Sequence, residues 1–165
     1  MLDRAYIALG SNLGDSREVV LRAMERLQEL SDQPIVKSSL LQTTPVDCPP
    51  GSSNFVNAVA GLIPRRGEAP KSLLAKLQSL EKEFGRAEKK VLNEPRPLDL
   101  DIITFRDEIC AAPELILPHP RAHVRRFVLE PLAEIAPDLV LPGQNKPVAE
   151  LLRELTSAEV VRKLQ

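Results

Sequence analysis

The run Pro97-Leu98-Asp99-Leu100-Asp101-Ile102-Ile103-Thr104-Phe105 constrains this chain more than any other segment. It alternates apolar with acidic and then turns apolar, as a strand does when it enters a core. A period of two sends Asp99 and Asp101 to one face, and Leu98, Leu100 and Ile102 to the other. Two carboxylates held that close repel each other unless protons or a cation intervene. A hard cation such as Mg2+ takes one or two carboxylates, keeps waters, and draws its remaining ligands from phosphate oxygens. The pair is either the solvent face of an ordinary strand or a metal site, and its neighbours favour the metal. Arg86, Lys89, Lys90 and Arg96 precede it, while His119, Arg121, His123, Arg125 and Arg126 follow. Cations at that density beside paired carboxylates suit a polyphosphate bridged by metal.

A strand needs partners, and the rest of the chain supplies them. Residues 5–9 read as a buried strand that stops at Gly10-Ser11-Asn12-Leu13-Gly14, a turn whose two glycines tolerate positive φ. Asp15 or Ser16 caps a helix with Val19, Val20, Ala23, Leu27 and Leu30 on one stripe. A second strand is predicted over 35–43, a proline-rich loop over 44–53 and a third strand over 55–63. Pro70 opens a helix with the stripe Leu73, Leu74, Leu77, Leu80 and Phe84, which Gly85 closes. Further on, short strands are expected at 115–117 and 139–141, and helices at 126–135 and 148–155. This order predicts one α+β domain over 1–165, with helices on one face of a mainly antiparallel sheet.

Composition then removes whole classes of function. The chain has 165 residues, of which 43% are hydrophobic, enough for one core. Its 22 basic and 23 acidic side chains nearly cancel, so no global field draws it to nucleic acid. With four Phe, one Tyr and no Trp, a base-stacking surface would be sparse. No apolar run reaches the roughly 18 residues of a membrane span. Met1-Leu2-Asp3-Arg4 leads straight into the first strand without a signal segment, so a cytoplasmic chain is expected. Cys48 and Cys110 make no C-x-x-C pair and read as free thiols in a reducing compartment. Neither histidine has the spacing of a zinc ligand, and no Walker A sequence, dinucleotide fingerprint or G-x-S-x-G elbow occurs.

Asn57 sits inside the apolar run Phe55-Val56-Asn57-Ala58-Val59. A buried carboxamide costs free energy unless its donors and acceptor are matched. It either bonds neighbouring backbone or recognises a heterocycle edge that offers both a donor and an acceptor. Phe55 and Phe127 would supply flat walls for such a ring, unless each is simply core.

Together these segments resemble the 6-hydroxymethyl-7,8-dihydropterin pyrophosphokinase family of folate synthesis. The resemblance is carried by Pro95-Arg96-Pro97-Leu98-Asp99-Leu100-Asp101-Ile102, by the opening Ala5 to Gly14, and by Phe55-Val56-Asn57-Ala58. Leu117-Pro118-His119-Pro120-Arg121, then Arg125-Arg126-Phe127-Val128-Leu129 and Pro131-Leu132, complete it, in order along most of the chain. The connection departs from the family pattern at Glu88, Leu92-Asn93 and Glu94, which leaves the metal pair untouched.

The resemblance implies a ferredoxin-like α+β fold that binds ATP and a pterin side by side. It implies that Asp99 and Asp101 hold two Mg2+ ions, and that Arg86 and Arg96 join them in catalysis. Asn57 would bond the pterin edge with Thr43, Pro45 and Val46 beside it, while Phe55 and Phe127 sandwich the ring. Gln78, Glu81, Arg86, Ile102, His119 and Arg125 would contact ATP. The implied partners are ATP and 6-hydroxymethyl-7,8-dihydropterin, bound by a monomer, without nucleic acid or membrane. A nucleotidyltransferase, which also pairs Gly-Ser with D-x-D, is the alternative enzyme, although Ser11 and Asp99 are far apart in sequence. A ferredoxin-like binding module is the non-enzymatic alternative.

The segments 44–53 and 86–95 lack periodicity and flank the expected site, as loops that close over substrates do. A non-hydrolysable ATP analogue plus pterin should therefore protect Lys89 and Lys90 from trypsin better than either ligand alone. Equal cleavage with and without both ligands would contradict a lid.

Overall fold

The fold is described by a computed structural model at residues 3–12, 14–43, 54–85, 97–156 and 161–164. Among these residues the elements run β1 (Ala5–Ser11), α1 (Ser16–Gln28), β2 (Val36–Lys37), β3 (Leu41–Thr43), β4 (Phe55–Leu62) and α2 (Pro70–Glu83). They continue with β5 (Asp99–Phe105), β6 (Cys110–Ala112), β7 (Leu115–Leu117), a 3-10 turn at Ala122–Val124, α3 (Arg126–Ile135), α4 (Val148–Glu154) and β8 (Val161–Lys163). The main sheet has the order β5-β1-β4-β3-β8, with β2 also on β4, and every recorded pairing is antiparallel. β6 and β7 form a separate hairpin.

The two sides of the sheet carry different cores. Ile7, Leu9, Ala58, Ala60, Leu100 and Ile102 pack against Val20, Ala23 and Leu27 of α1 and Leu73, Leu77 and Leu80 of α2. Tyr6, Val59 and Ile103 face the other way, against Val128, Leu129 and Leu132 of α3 and Val148 of α4. The expectation of helices on one face is therefore corrected: both faces are covered. The alternation on β4 shows why, since Val59 is fully buried although its neighbours Ala58 and Ala60 already fill the opposite core.

Local chemistry explains most boundaries. Asp15 caps α1 by accepting the Glu18 N–H at 3.4 Å. Pro70 opens α2 at a position where no N–H is needed, and Gly85 just beyond Phe84 takes the left-handed backbone at φ 91.

Other boundaries differ from the sequence reading. β1 does not stop at Leu9 but runs through Gly10 to Ser11, because β4 and β5 both extend far enough to pair with it. The expected strand over 35–43 is two short ones. Ser38 interrupts it: its N–H donates to the Val59 carbonyl at 2.9 Å, and its hydroxyl accepts the Val59 N–H at 2.9 Å. The pairing then advances from Lys37 opposite Ala60 to Leu41 opposite Asn57, one residue more on the near strand than on β4. No strand forms at 139–141. Leu139 and Leu141 are buried beneath α3 and α4, and their carbonyls accept from Val148 and Gln144 instead of from a ladder. β6 and β8 had no periodicity long enough to announce them. Cys110 is a half-buried free thiol, while Cys48 lies outside the described residues.

Leu77 is completely buried between α2 and the sheet. Leu77→Ala is expected to lower stability by about 2–5 kcal/mol in urea unfolding, the usual cost of a core cavity. A loss below about 1 kcal/mol would show that the helix does not depend on this stripe.

Candidate functional site

Cross-strand register determines which side chains meet. Asp99 lies opposite Gly10, and Gly10 lies opposite Asn57 on its other edge. Asn57 in turn lies opposite Leu41. One row thus crosses β5, β1, β4 and β3, joining an acidic strand to a carboxamide strand through a glycine. In a parallel row, Asp101 lies opposite Ala8 and Ala8 opposite Val59. By alternation these residues share the face that carries Tyr6, Val59 and Ile103.

The strand containing both aspartates follows its expected pattern. Leu98, Leu100 and Ile102 are buried, while Asp99 and Asp101 are partly exposed on the other face. Their backbone positions are about 6–7 Å apart, two strand residues along. The register changes beyond them, between the pairs Ile7–Ile102 and Tyr6–Thr104, which leaves Ile103 as an extra residue. Ile103 also anchors His119, whose N–H donates to the Ile103 carbonyl at 2.8 Å. The free edge of this strand has a second support. Glu81, buried on α2, accepts the Leu100 N–H at 2.8 Å. Among the described residues no strand pairs with this edge, and the carboxylate satisfies its N–H and ties α2 to the acidic segment.

The aspartate oxygens are hard donors, and their spacing suits Mg2+. Among the described residues no three His, Cys, Asp or Glu side chains gather as a closed protein cage. Such a donor set leaves most of a cation's shell to water and phosphate, which is how Mg2+ is ordinarily held.

Asn57 and Thr43 are both buried, and the Asn57 Nδ2 donates to Thr43 Oγ1 at 2.7 Å. That bond uses one amide proton and orients the carboxamide. Phe55 and Phe127 are half-buried on the same side of the sheet, and the Arg125 guanidinium stands 5.4 Å from the Phe127 ring centroid. His119 is half-buried. Its Nδ1 accepts the Arg121 N–H at 3.2 Å, so the neutral ring carries its proton on Nε2. Burial is the main cause that lowers its pKa below 6.5; the charge of Arg125 adds to this, Asp99 opposes it, and Arg121 adds again.

The structure thus brings together Asp99, Asp101, Asn57, Thr43, Phe55 and Phe127 on one face, with His119 and Arg125 near β5 and α3. Gln78 is exposed on α2, and the Ile102 side chain is buried in the opposite core. Pro45, Val46, Arg86 and Arg96 lie outside the described residues, as do Lys89, Lys90 and the proposed lid segments 44–53 and 86–95. Gly10 does not stand out in the sequence because Gly-Ser-Asn-Leu-Gly reads as a turn. The signal that finds it is the length of the strands on either side. Ser11, part of the nucleotidyltransferase alternative, is buried and donates to Ser16 Oγ at 3.1 Å.

Comparison with known proteins gives a consistent result. Residues 6–137 match the family model for 7,8-dihydro-6-hydroxymethylpterin-pyrophosphokinase. A Pseudomonas aeruginosa protein named 2-amino-4-hydroxy-6-hydroxymethyldihydropteridine pyrophosphokinase is 40% identical over 148 residues, covering 89% of this chain and 90% of that protein. A Haemophilus influenzae protein of the same name is 37% identical over 158 residues, covering 96% of each. A crystal structure of wild-type Plasmodium falciparum HPPK-DHPS with pteroate superposes with a TM-score of 0.70 at 15% identity. That likeness concerns the fold; it covers 92% of this chain and only 42% of the other.

In the free protein the His119 imidazole should titrate below 6.5, followed by NMR. The sign follows from linkage: the unfolded chain binds more protons below 6.5, so this residue makes stability rise with pH through the window under 6.5 and adds no slope above it. A midpoint at or above 6.5 would contradict the buried environment.

Proposed function

The chain belongs to the 7,8-dihydro-6-hydroxymethylpterin-pyrophosphokinase family, ATP-dependent enzymes of folate biosynthesis, and from that premise we propose how its own residues carry the transfer. The pyrophosphoryl group of ATP moves to the hydroxymethyl oxygen of 6-hydroxymethyl-7,8-dihydropterin, and AMP leaves. A bond forms between that oxygen and the β-phosphorus, the bond from the β-phosphorus to the oxygen bridging it to the α-phosphorus breaks, and the alcohol proton is released. The observation that carries this reading is the row of Asp99, Gly10 and Asn57 across three adjacent strands. It sets Asp99 and Asn57 about two strand spacings apart, roughly 9–10 Å, which supports a phosphate end and a ring end of one site.

Asn57 offers a donor and an acceptor to the pterin edge, steadied by Thr43, with Pro45 and Val46 contributing beside it. Phe55 and Phe127 cover the ring faces. A buried site that hydrogen-bonds its ligand in this way rejects rings that leave the amide unmatched. Asp99 and Asp101 would hold two Mg2+ ions. When bound, these ions neutralise phosphate charge and align the triphosphate. Arg86, Arg96 and Arg125 offset the negative charge of the transferred group. The neutral His119 donates from Nε2 to a phosphate oxygen.

At the edge of the sheet, Glu81 and Gln78 of α2 flank the nucleotide. Ile102 contributes main chain rather than side chain there: Leu100 turns its N–H outward to Glu81, and two residues on Ile102 turns the same way. Positioning supplies most of the acceleration, since the two reactants are held in line on one rigid sheet.

The working unit in this reading is a single domain over 1–165, a cytoplasmic monomer without nucleic-acid partners. Among the described residues no helix is long and apolar enough to cross a membrane.

Incubation with ATP, Mg2+ and the dihydropterin should release AMP in step with pyrophosphorylated pterin. ADP or pyrophosphate as the product would contradict the reading. Asp99→Ala and Asp101→Ala should each lower turnover by several orders of magnitude while the circular dichroism spectrum persists. Near-normal turnover of either variant at ordinary Mg2+ would remove that residue from the metal site.

A further inference from the structure

We infer that Gly10 is a positioning residue that sets the orientation of the Asn57 carboxamide, and so the hydrogen-bond pattern shown to the pterin; this rests on the reading just given. Gly10 lies within β1, between Asp99 and Asn57 in the register. Its backbone is not among the positive-φ glycines of the described residues, which are Gly14, Gly67, Gly85 and Gly143. Conformational freedom therefore does not explain a glycine here. Space does. A Cβ built on Gly10 would stand 2.9 Å from Asn57 Oδ1 and 3.9 Å from Phe55 Cδ1. The first distance is shorter than a side-chain carbon tolerates, and the buried carboxamide has little room to retreat, at 7% exposure.

The carboxamide is thus held from two sides. On the β3 side Thr43 Oγ1 takes one Nδ2 proton at 2.7 Å. On the β1 side the bare Cα of Gly10 accommodates Oδ1. Any side chain at position 10 would push Oδ1 off that strand. The amide would then have to turn away from β1, which strains or breaks its bond to Thr43 and moves its donor and acceptor out of place. A ring that offers a complementary donor and acceptor would meet the wrong pattern. Gly61 is the internal contrast. A Cβ there would also meet atoms at 2.9 Å, but these belong to Tyr6 and Val36, the cross-strand partners of Gly61, which lies four residues along β4 from Asn57. Its tightness is packing alone.

The test compares Gly10→Ala, Asn57→Ala, the double variant and Gly61→Ala by calorimetry with the dihydropterin, and separately with a non-hydrolysable ATP analogue plus Mg2+. Gly10→Ala should weaken pterin binding by about 10-fold or more and the ATP analogue by less than about 3-fold. In the double variant, pterin should bind within about 2-fold of Asn57→Ala alone, because the alanine at 10 acts only through the amide. Gly61→Ala should leave pterin affinity within about 3-fold of the wild type. Equal losses for both ligands, additive losses in the double variant, or an equal pterin defect in Gly61→Ala would overturn the inference. If Gly10→Ala does not fold, recovery of a melting transition in Gly10→Ala/Asn57→Ala supports the clash with Asn57, and its continued absence overturns it. A wild type that binds no pterin defeats the functional reading, and this inference with it; a wild type that binds normally beside an unaltered Gly10→Ala defeats the inference alone.

Discussion

The site depends on one strand being paired along both edges. β1 carries β4 on one side and β5 on the other, and the ladders on both sides reach Gly10. Strand pairing is quantised in whole residues, and a slip of one would send each side chain to the opposite face. Asp99 and Asn57 therefore cannot drift relative to each other unless a ladder breaks. A reaction that joins two substrates in line benefits from such a frame, because small errors of placement are costly in rate. The frame is rigid for an ordinary reason: Ala5, Ile7 and Leu9 are almost completely buried under α1 and α2.

Both cores contribute, in different ways. The face under α1 and α2 is apolar across β1, β4 and β5 except at Ser11, which bonds to Ser16 of α1, and it supplies the foundation. The face under α3 and α4 is apolar only in part. Around Tyr6, Val59 and Ile103 it is packed like the first, and towards Asp99 and Asn57 the same strands turn polar. Two bulges mark its limits. One, at Ile103, lets the His119 backbone dock on β5. The other, after Ser38, moves the pairing so that Leu41 and Thr43 stand beside Asn57 and Phe55. Among the described residues no strand pairs with the outer edge of β5, and Glu81 occupies it at the Leu100 N–H.

Much of the fold was legible in the residues. Helical stripes announced α1 and α2, and Pro70 and Gly85 marked the limits of the second. The alternation from Leu98 to Ile102 correctly sorted the two aspartates from their apolar neighbours. What was not legible depended on pairing. Gly10 resembled a turn residue because Gly-Ser-Asn-Leu-Gly is turn chemistry, and only the reach of β4 and β5 draws it into a strand. The segment from Ile35 to Thr43 read as one strand because a serine is unremarkable in a strand. Nothing local reveals that the Ser38 hydroxyl will satisfy Val59 on another strand. The helices were expected on one face because a helical stripe shows which side of the helix is buried, but not which side of a sheet will bury it.

The sequence by itself determined the chemistry available here: a carboxylate pair on one strand face, a carboxamide in an apolar run, cations on either side, and the membership of the family. Those properties are local, because alternation, charge and amide character belong to the residues wherever the chain goes. Tertiary structure alone decided proximity. Ser11 and Asp99 are distant along the chain, yet Gly10, the residue before Ser11, is the cross-strand partner of Asp99. Thr43 reaches Asn57, and Glu81 reaches the Leu100 amide, across loops and helices that carry no sign of either bond. The reason is physical. Long-range register is set by which strands bury the most apolar surface together, and that is a property of the whole core rather than of any segment.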